Sequence, residues 1–294
     1  MSLLCKNASA SVLLSYFAKQ KLSGGEIVSF ELLETDVEKI GYKALVDLAQ
    51  LFFMRLLTPR VDEEGVVLLR FEKLRQNNSF HHMQSSTEKY GVASEFFRIE
   101  KTAQFSFLYH FQKALEFVGV EKRERVVNLG INKGDEFGVI KEMLGDELWS
   151  QKEFVGIDYA ASAIAYAKKE FAQDKNVTFL CADINKLHEY NVGRFDLLVS
   201  IGTLQSSNIE FNKTFMGLYQ NHLEDGGAVV LGFPNCRWID GEMIYGAKAP
   251  NYPFSELSLV LKDIHFCKKY LQQKKYRVVI TGKDYLFLSA RKIV

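Results

Sequence analysis

The sequence has little proline, four residues among 294, and no stretch rich in it that would mark a linker. Cysteine is as scarce. Cys5, Cys181, Cys236 and Cys267 lie far apart without metal-ligand spacing, so neither a disulfide framework nor a metal site is expected. The four thiols read as buried or inert in a reducing compartment. Long apolar runs are missing too: Leu51 to Leu57 is broken by Arg55, and nothing approaches the length that crosses a bilayer. The first residues lack the layout of a secretion signal, so the expected location is cytoplasmic, with no membrane partner. Charge of one sign is absent as well. A net charge of +1 provides no global field to gather a polyanion, which weakens the case for a large polyanionic substrate; no DNA partner is expected and RNA is a secondary one. There is no internal repeat and no low-complexity tract.

What is present is the composition of an ordinary globular chain, 47% apolar and 25% charged, long enough for one large domain with an appendage or for two modest ones. Residues 9–21 have helical spacing, and EIVSFELLE (26–34) has the character of a strand. DVEKIGYKALVDLAQLFFMRLL (36–57) is expected to be one helix capped by Asp36, followed by a strand over VVLLRFEKL (66–74). Residues 1–76 are therefore expected to form a small α+β unit. A polar, then aromatic and helical segment (77–120) follows it, as a lid to the main domain at 121–294.

From Arg125 onward the rhythm changes. RVVNLG, EFVGID, VTFLCAD, FDLLVSIG and AVVLGFPN are short apolar runs separated by helix-forming sequence. Such alternation predicts a parallel sheet covered by helices on both faces. The tail departs from it, because YRVVITG and YLFLSARKIV are separated only by Lys283 and Asp284. A connection so short forces an antiparallel hairpin, since a parallel crossover needs a dozen residues or more.

In open α/β sheets, ligands bind at the carboxyl ends of the strands. The first run ends in Gly130, Asn132 and Gly134, a poor fit to the G-x-G-x-x-G spacing of a nicotinamide site. The second ends at Asp158 and the third at Asp183. A carboxylate ending one strand offers two acceptors to the hydroxyls of a ribose, and an acid one strand further suits the amino group of an adenine. Together they describe a nucleoside pocket. For Asp158 the plainer alternative is capping the helix that starts at Ala160, and for Asp183 capping a short turn.

With these motifs in this order, the sequence from about Arg125 to the C-terminus resembles the class I S-adenosylmethionine-dependent methyltransferases. VVNLGINKG, VGIDYAASAIAYAKK, CADI, FDLLVSIGTLQ and LEDGGAVVLGF look like five successive motifs of that family, and the closing hairpin is similar to its reversed last strand. The resemblance implies a Rossmann-like α/β fold with a seven-stranded, mostly parallel sheet and an antiparallel C-terminal hairpin strand. It implies S-adenosylmethionine as cofactor and no metal. By the same similarity, Gly130 and Gly134 would let the turn approach the methionine part, Asp158 would hold the ribose and Tyr159 would lie against the adenine. Asp183 and the backbone of Ile184 would meet the adenine edge, while Ser200 and Gln205, past the fourth strand, would sit near the sulfonium. Tyr90 and Arg98, just before the core domain, would line the closed site. Asn128 stands where the family usually has an acid and Asn132 where it usually has glycine; asparagine tolerates left-handed backbone better than most residues. Asp135 and Glu136 open the next helix, where acids suit the dipole whatever the function.

Methyl transfer asks few residues of the protein beyond positioning. His81, His82 and Gln205 are the candidates for a catalytic group. Asn235, Arg237, Trp238 and Tyr245, in a segment expected to be an irregular loop, are candidates for acceptor contacts. After the fourth strand the chain has SIGTLQ, neither the Asn/Asp-Pro-Pro-aromatic run of amino-methylating enzymes nor a nucleophilic cysteine. The expected acceptor is therefore an oxygen or nitrogen of a small metabolite. A tRNA or rRNA methyltransferase with residues 1–76 as its RNA-binding arm is the second reading, and a non-catalytic module that senses the cofactor is the third. Asp158→Ala is expected to abolish cofactor binding and leave the fold intact.

Overall fold

The computed structural model describes residues 3–4, 9–76, 91–94, 96–247 and 257–293. The chain divides into two compact units, one of residues 1–82 with 238–245 and one of residues 83–237 with 246–294.

The first unit begins with β1 (Leu3–Leu4), α1 (Ala10–Lys19), β2 (Ile27–Leu33), α2 (Glu34–Ile40) and α3 (Tyr42–Leu51). It continues with β3 (Met54–Leu56), β4 (Arg60–Val61) and β5 (Val66–Lys73), in a sheet of order β1-β2-β5-β3 with β4 also paired to β5. Strand periodicity sends Val28, Phe30 and Leu32 of β2, and Val67, Leu69 and Phe71 of β5, into one core. Leu13 and Phe17, four residues apart on α1, close that core from above. The single helix expected over 36–57 does not form. Gly41, at φ +82°, ends α2 and starts α3, and the segment then leaves helical geometry at Phe53 (φ +53°). Met54–Leu56 pairs with β5 instead, because an open sheet edge offers its backbone a partner that helical periodicity in the sequence cannot reveal.

The second unit opens with 3-10 turns at Phe96–Arg98 and Lys101–Ala103, then α4 (Phe105–Val118). β6 (Arg125–Leu129), α5 (Asp135–Ser150), β7 (Glu153–Asp158), α6 (Ala161–Glu170), β8 (Val177–Cys181) and a 3-10 segment at Ile184–Glu189 follow. Then come β9 (Phe195–Ile201), α7 (Phe211–His222), β10 (Leu223–Pro234), β11 (Cys236–Ile239), β12 (Glu242–Tyr245), α8 (Ser258–Gln273), β13 (Tyr276–Gly282) and β14 (Tyr285–Lys292). The sheet has seven strands in the order β13-β14-β10-β9-β6-β7-β8. Strands β8, β7, β6, β9 and β10 are parallel, and β14 runs antiparallel to both β10 and β13. The five apolar runs and the closing hairpin are thus where the sequence places them. The reversed strand β14 lies between β10 and β13, through pairs such as Val229↔Ala290, and not at the sheet edge. Phe107 and Phe111 of α4 pack on Phe287 of β14 at ring separations of 5.4 and 5.8 Å, covering one face.

From β6 the chain steps outward through β7 to β8 and then returns to the other side of β6 as β9. This reversal opens a crevice at the carboxyl ends of β6 and β9. The segment after β10 is no irregular loop: β11 and β12 form a two-stranded hairpin. Its residues 238–245 belong to the first unit, where Glu242 pairs with Arg55 at 3.1 Å and the Met243 carbonyl accepts from Gln50 at 3.2 Å.

Candidate functional site

The turn between β6 and α5 is folded into left-handed backbone at three positions, Gly130 (φ +76°), Asn132 (φ +48°) and Gly134 (φ +98°). The Gly130 and Ile131 amides both donate to the Ile157 carbonyl, at 2.7 and 3.1 Å, which fastens the turn to the end of β7. A Cβ at Gly130 would lie 1.9 Å from Thr203 Oγ1, and one at Gly134 would lie 2.5 Å from the Phe171 ring. Both glycines are therefore required by the chain's own packing as well as by the turn.

Asp158 ends β7 at 6% exposure. Its Oδ2 accepts from the Asn132 amide and its Oδ1 from the Ala160 amide, each at 2.9 Å. Burial raises its carboxyl above the usual range, and these backbone donors oppose the rise. The Tyr159 amide is a third backbone donor to this carboxylate, whose two oxygens offer about four acceptor positions in all. On the neighbouring strand Cys181 is the register partner of Asp158, and the Ala182 amide donates to the Asp158 carbonyl at 2.9 Å. Asp183 thus stands at the same end of the sheet, half-buried, with its Oδ1 capping the Asn185 amide at 2.9 Å. Tyr159 is exposed, and Ile184, half-buried, opens the 3-10 segment. Cys181 is exposed, whereas Cys236 and Cys267 are buried.

On the other side of the crevice, Asn128 is fully buried in β6, and neither its Oδ1 nor its Nδ2 has a hydrogen-bond partner. Gln205, after β9, likewise has a buried Oε1 without a donor. Ser200 lies inside β9, not past it; it is 2% exposed and its hydroxyl donates to the Leu129 carbonyl at 3.4 Å. Asn235 is buried after β10, donating from Nδ2 to the Lys283 carbonyl at 3.1 Å, while its Oδ1 has no donor.

Sequence reasoning missed Lys101 altogether. It sits in the 3-10 turn before α4, buried, with Nζ 2.6 Å from the fully buried Glu136 carboxylate at the start of α5. Its only sequence signal is an unremarkable lysine between aromatic residues. Burial lowers its pKa, but Glu136, Asp135 and Tyr285 raise it by more, so the ammonium stays charged. Asp135 beside it is pushed up to about 6, first by burial. Because its folded value exceeds the unfolded one, Asp135 adds stability at pH below about 4 that is lost as pH rises through 6. Asp135→Asn is therefore expected to gain on the order of 1–2 kcal/mol over wild type at pH 7 and nothing at pH 4. Urea titrations at both pH values check this, and an equal effect at each would remove burial of the charge as the cause.

The remaining expected residues are scattered. His81, His82 and Tyr90 lie outside the described residues. Arg98 is exposed on its 3-10 turn, Arg237 is half-buried, and Trp238 and Tyr245 belong to the first unit.

Residues 120–249 match the family described as a methyltransferase domain. That stretch of the chain carries a methyltransferase domain. The solved structure of the plantazolicin methyltransferase in complex with SAH shares its fold at 13% identity, covering 71% of this chain and 94% of that one, with a TM-score of 0.50. A SAM-dependent methyltransferase from Aquifex aeolicus matches at 15% identity over 72% of this chain and 100% of that one, with a TM-score of 0.45. Magnesium protoporphyrin IX methyltransferase from Synechocystis PCC 6803 with bound SAM matches at 15% identity over 64% and 81%, with a TM-score of 0.39. No curated protein matches the chain in sequence. The residues at these strand ends fit the chemistry of S-adenosylmethionine, the cofactor that the resemblance of the sequence implies. Asp158 and Asp183 offer carboxylate acceptors that match hydroxyl and amino donors, and the buried amide of Asn128 and the buried Oε1 of Gln205 hold unspent hydrogen-bonding capacity.

Proposed function

We propose that this methyltransferase methylates an oxygen or nitrogen of a small metabolite, with its cofactor held along the carboxyl ends of β6, β7 and β8. The observation that carries the reading is the join between the turn after β6 and Asp158, made by the Asn132 amide at 2.9 Å, with Asp183 at the same end of the next strand. Asp158 accepts from the ribose hydroxyls, Asp183 from the adenine amino group, and Tyr159 and the Ile184 backbone flank the ring. Gly130 and Gly134 hold the turn in the left-handed backbone that brings it against the end of β7. The Asn128 amide takes the hydrogen-bonding role of an acid at its methionine end. S-adenosylmethionine supplies the electrophilic methyl group; Gln205 orients the acceptor for in-line approach. Near-zero net charge and the SIGTLQ segment support a small acceptor over a polyanion or a nucleobase nitrogen.

A cell extract split into small-molecule, RNA and protein fractions and incubated with methyl-labelled cofactor tests the acceptor class. Label is expected in the small-molecule fraction, and label confined to RNA or protein would overturn it. The site itself has a separate readout. Exposed Cys181 lies beside the proposed adenine position, its thiol 3.6 Å from the Tyr159 carbonyl. Its alkylation by N-ethylmaleimide, followed by peptide mass spectrometry, is expected to slow several-fold in saturating S-adenosylhomocysteine. An unchanged rate would place the adenine elsewhere.

A further inference from the structure

In the antiparallel register of β13 and β14, Arg277 is the direct partner of Arg291. Residues so paired leave the same face of the sheet with Cβ atoms roughly 5 Å apart, and like charges placed this way repel. The two arginines line a cavity of about 790 Å³ together with Lys122, Arg123, Lys292 and Asp225. Five positive side chains against one carboxylate leave a local surplus of four, in a chain whose whole net charge is +1. The cavity lies in the second unit where β6 begins and β14 ends, at the opposite end of the sheet from Asp158.

Asp196 and Glu121 offset part of the charge on Arg123 from a distance, and direct ionic partners among the described residues are few. Asp225 is committed to Lys292 at 3.0 Å. Arg123 donates to the Val118 and Gly226 carbonyls, which hold it in place without neutralising it. Arg291 lies over the Phe117 ring, its guanidinium carbon 5.0 Å from the centroid, which fixes the plane of its fork. Among the described residues no carboxylate pairs with Lys122, Arg277 or Arg291. An arginine fork matches two oxygens of a phosphate, and lysines add point charges for a neighbouring one.

We propose that this cavity binds an oligophosphate, two or more phosphates in series, carried either by a free nucleotide-like molecule or by an RNA strand. The site is separate from the methyl-transfer crevice and stands or falls independently of the acceptor. Isothermal titration calorimetry of the full chain at low salt, with sodium tripolyphosphate and separately with a short oligouridylate, tests it. At least one of the two is expected to bind. The Arg277→Gln/Arg291→Gln double variant is expected to weaken that binding roughly tenfold or more while S-adenosylmethionine affinity stays unchanged. Binding of tripolyphosphate alone identifies a free oligophosphate. Tighter binding of the oligouridylate, with a salt slope reduced by about two in the double variant, identifies a strand. Removal of the facing charges is also expected to raise Tm in anion-free buffer. Lys122→Gln, which leaves the strand pair untouched, is expected to weaken binding in the same direction. Failure of both ligands to bind wild type, or equal binding by wild type and the double variant, overturns the site.

Discussion

Lys101→Met is expected to lower the stability of the second unit by about 3–5 kcal/mol, the usual cost of leaving one member of a buried ion pair without its partner. The Lys101 and Glu136 side chains are 10% and 0% exposed, and the 2.6 Å contact between them is made where water cannot take over either charge. Truncating the lysine strands the Glu136 carboxylate at the start of α5 and removes the cation that opposes the rise of the Asp135 carboxyl. The double variant Lys101→Met/Glu136→Leu removes both charges and is expected to recover most of the loss, since an apolar pair of similar volume replaces the ion pair at little net cost. Equilibrium urea denaturation of wild type, both single variants and the double variant gives the coupling directly. A single variant within about 1 kcal/mol of wild type would mean that water reaches Glu136 and the pair is not buried.

Asp158→Ala is expected to lose cofactor affinity by about a hundredfold or more, as two hydrogen bonds to a charged group disappear. It is also expected to destabilise the protein by about 2–4 kcal/mol, because the Asn132 and Ala160 amides would be left without acceptors. The expectation from sequence that the fold would be untouched therefore gives way: the carboxylate ties the β6–α5 turn to the start of α6 before any ligand arrives. Asp158→Asn separates the two effects. It keeps one acceptor oxygen and the side-chain volume, so it is expected to stay folded at the measuring temperature and still bind poorly. Calorimetry with S-adenosylhomocysteine on that variant is decisive, and affinity equal to wild type would end the ribose assignment.

The parts of the second unit legible in sequence are those governed by local rules. Five apolar runs at βα spacing became β6 to β10, and a two-residue connection made β13 and β14 antiparallel. Asp158 and Asp183 stand at neighbouring strand ends as their sequence positions predict, because a parallel sheet aligns such ends automatically. Where the local signal was shared by two structures, the reading failed. Residues 52–57 are as apolar as a helix end but take the open edge of β5, and residues 236–245 lack a clear period yet pair as a hairpin. Ser200 was misplaced by a strand end that sequence fixes only to within a residue or two.

Sequence by itself determined the architecture of the methyltransferase domain, because hydrophobic period, loop length and chain order act over a few residues. Tertiary structure alone decided that β14 enters between β10 and β13 and that Lys101 answers Glu136. Each of these joins positions separated by more than 30 residues. Such positions meet only once the sheet has closed, and no local pattern of polarity encodes which partner a side chain will find.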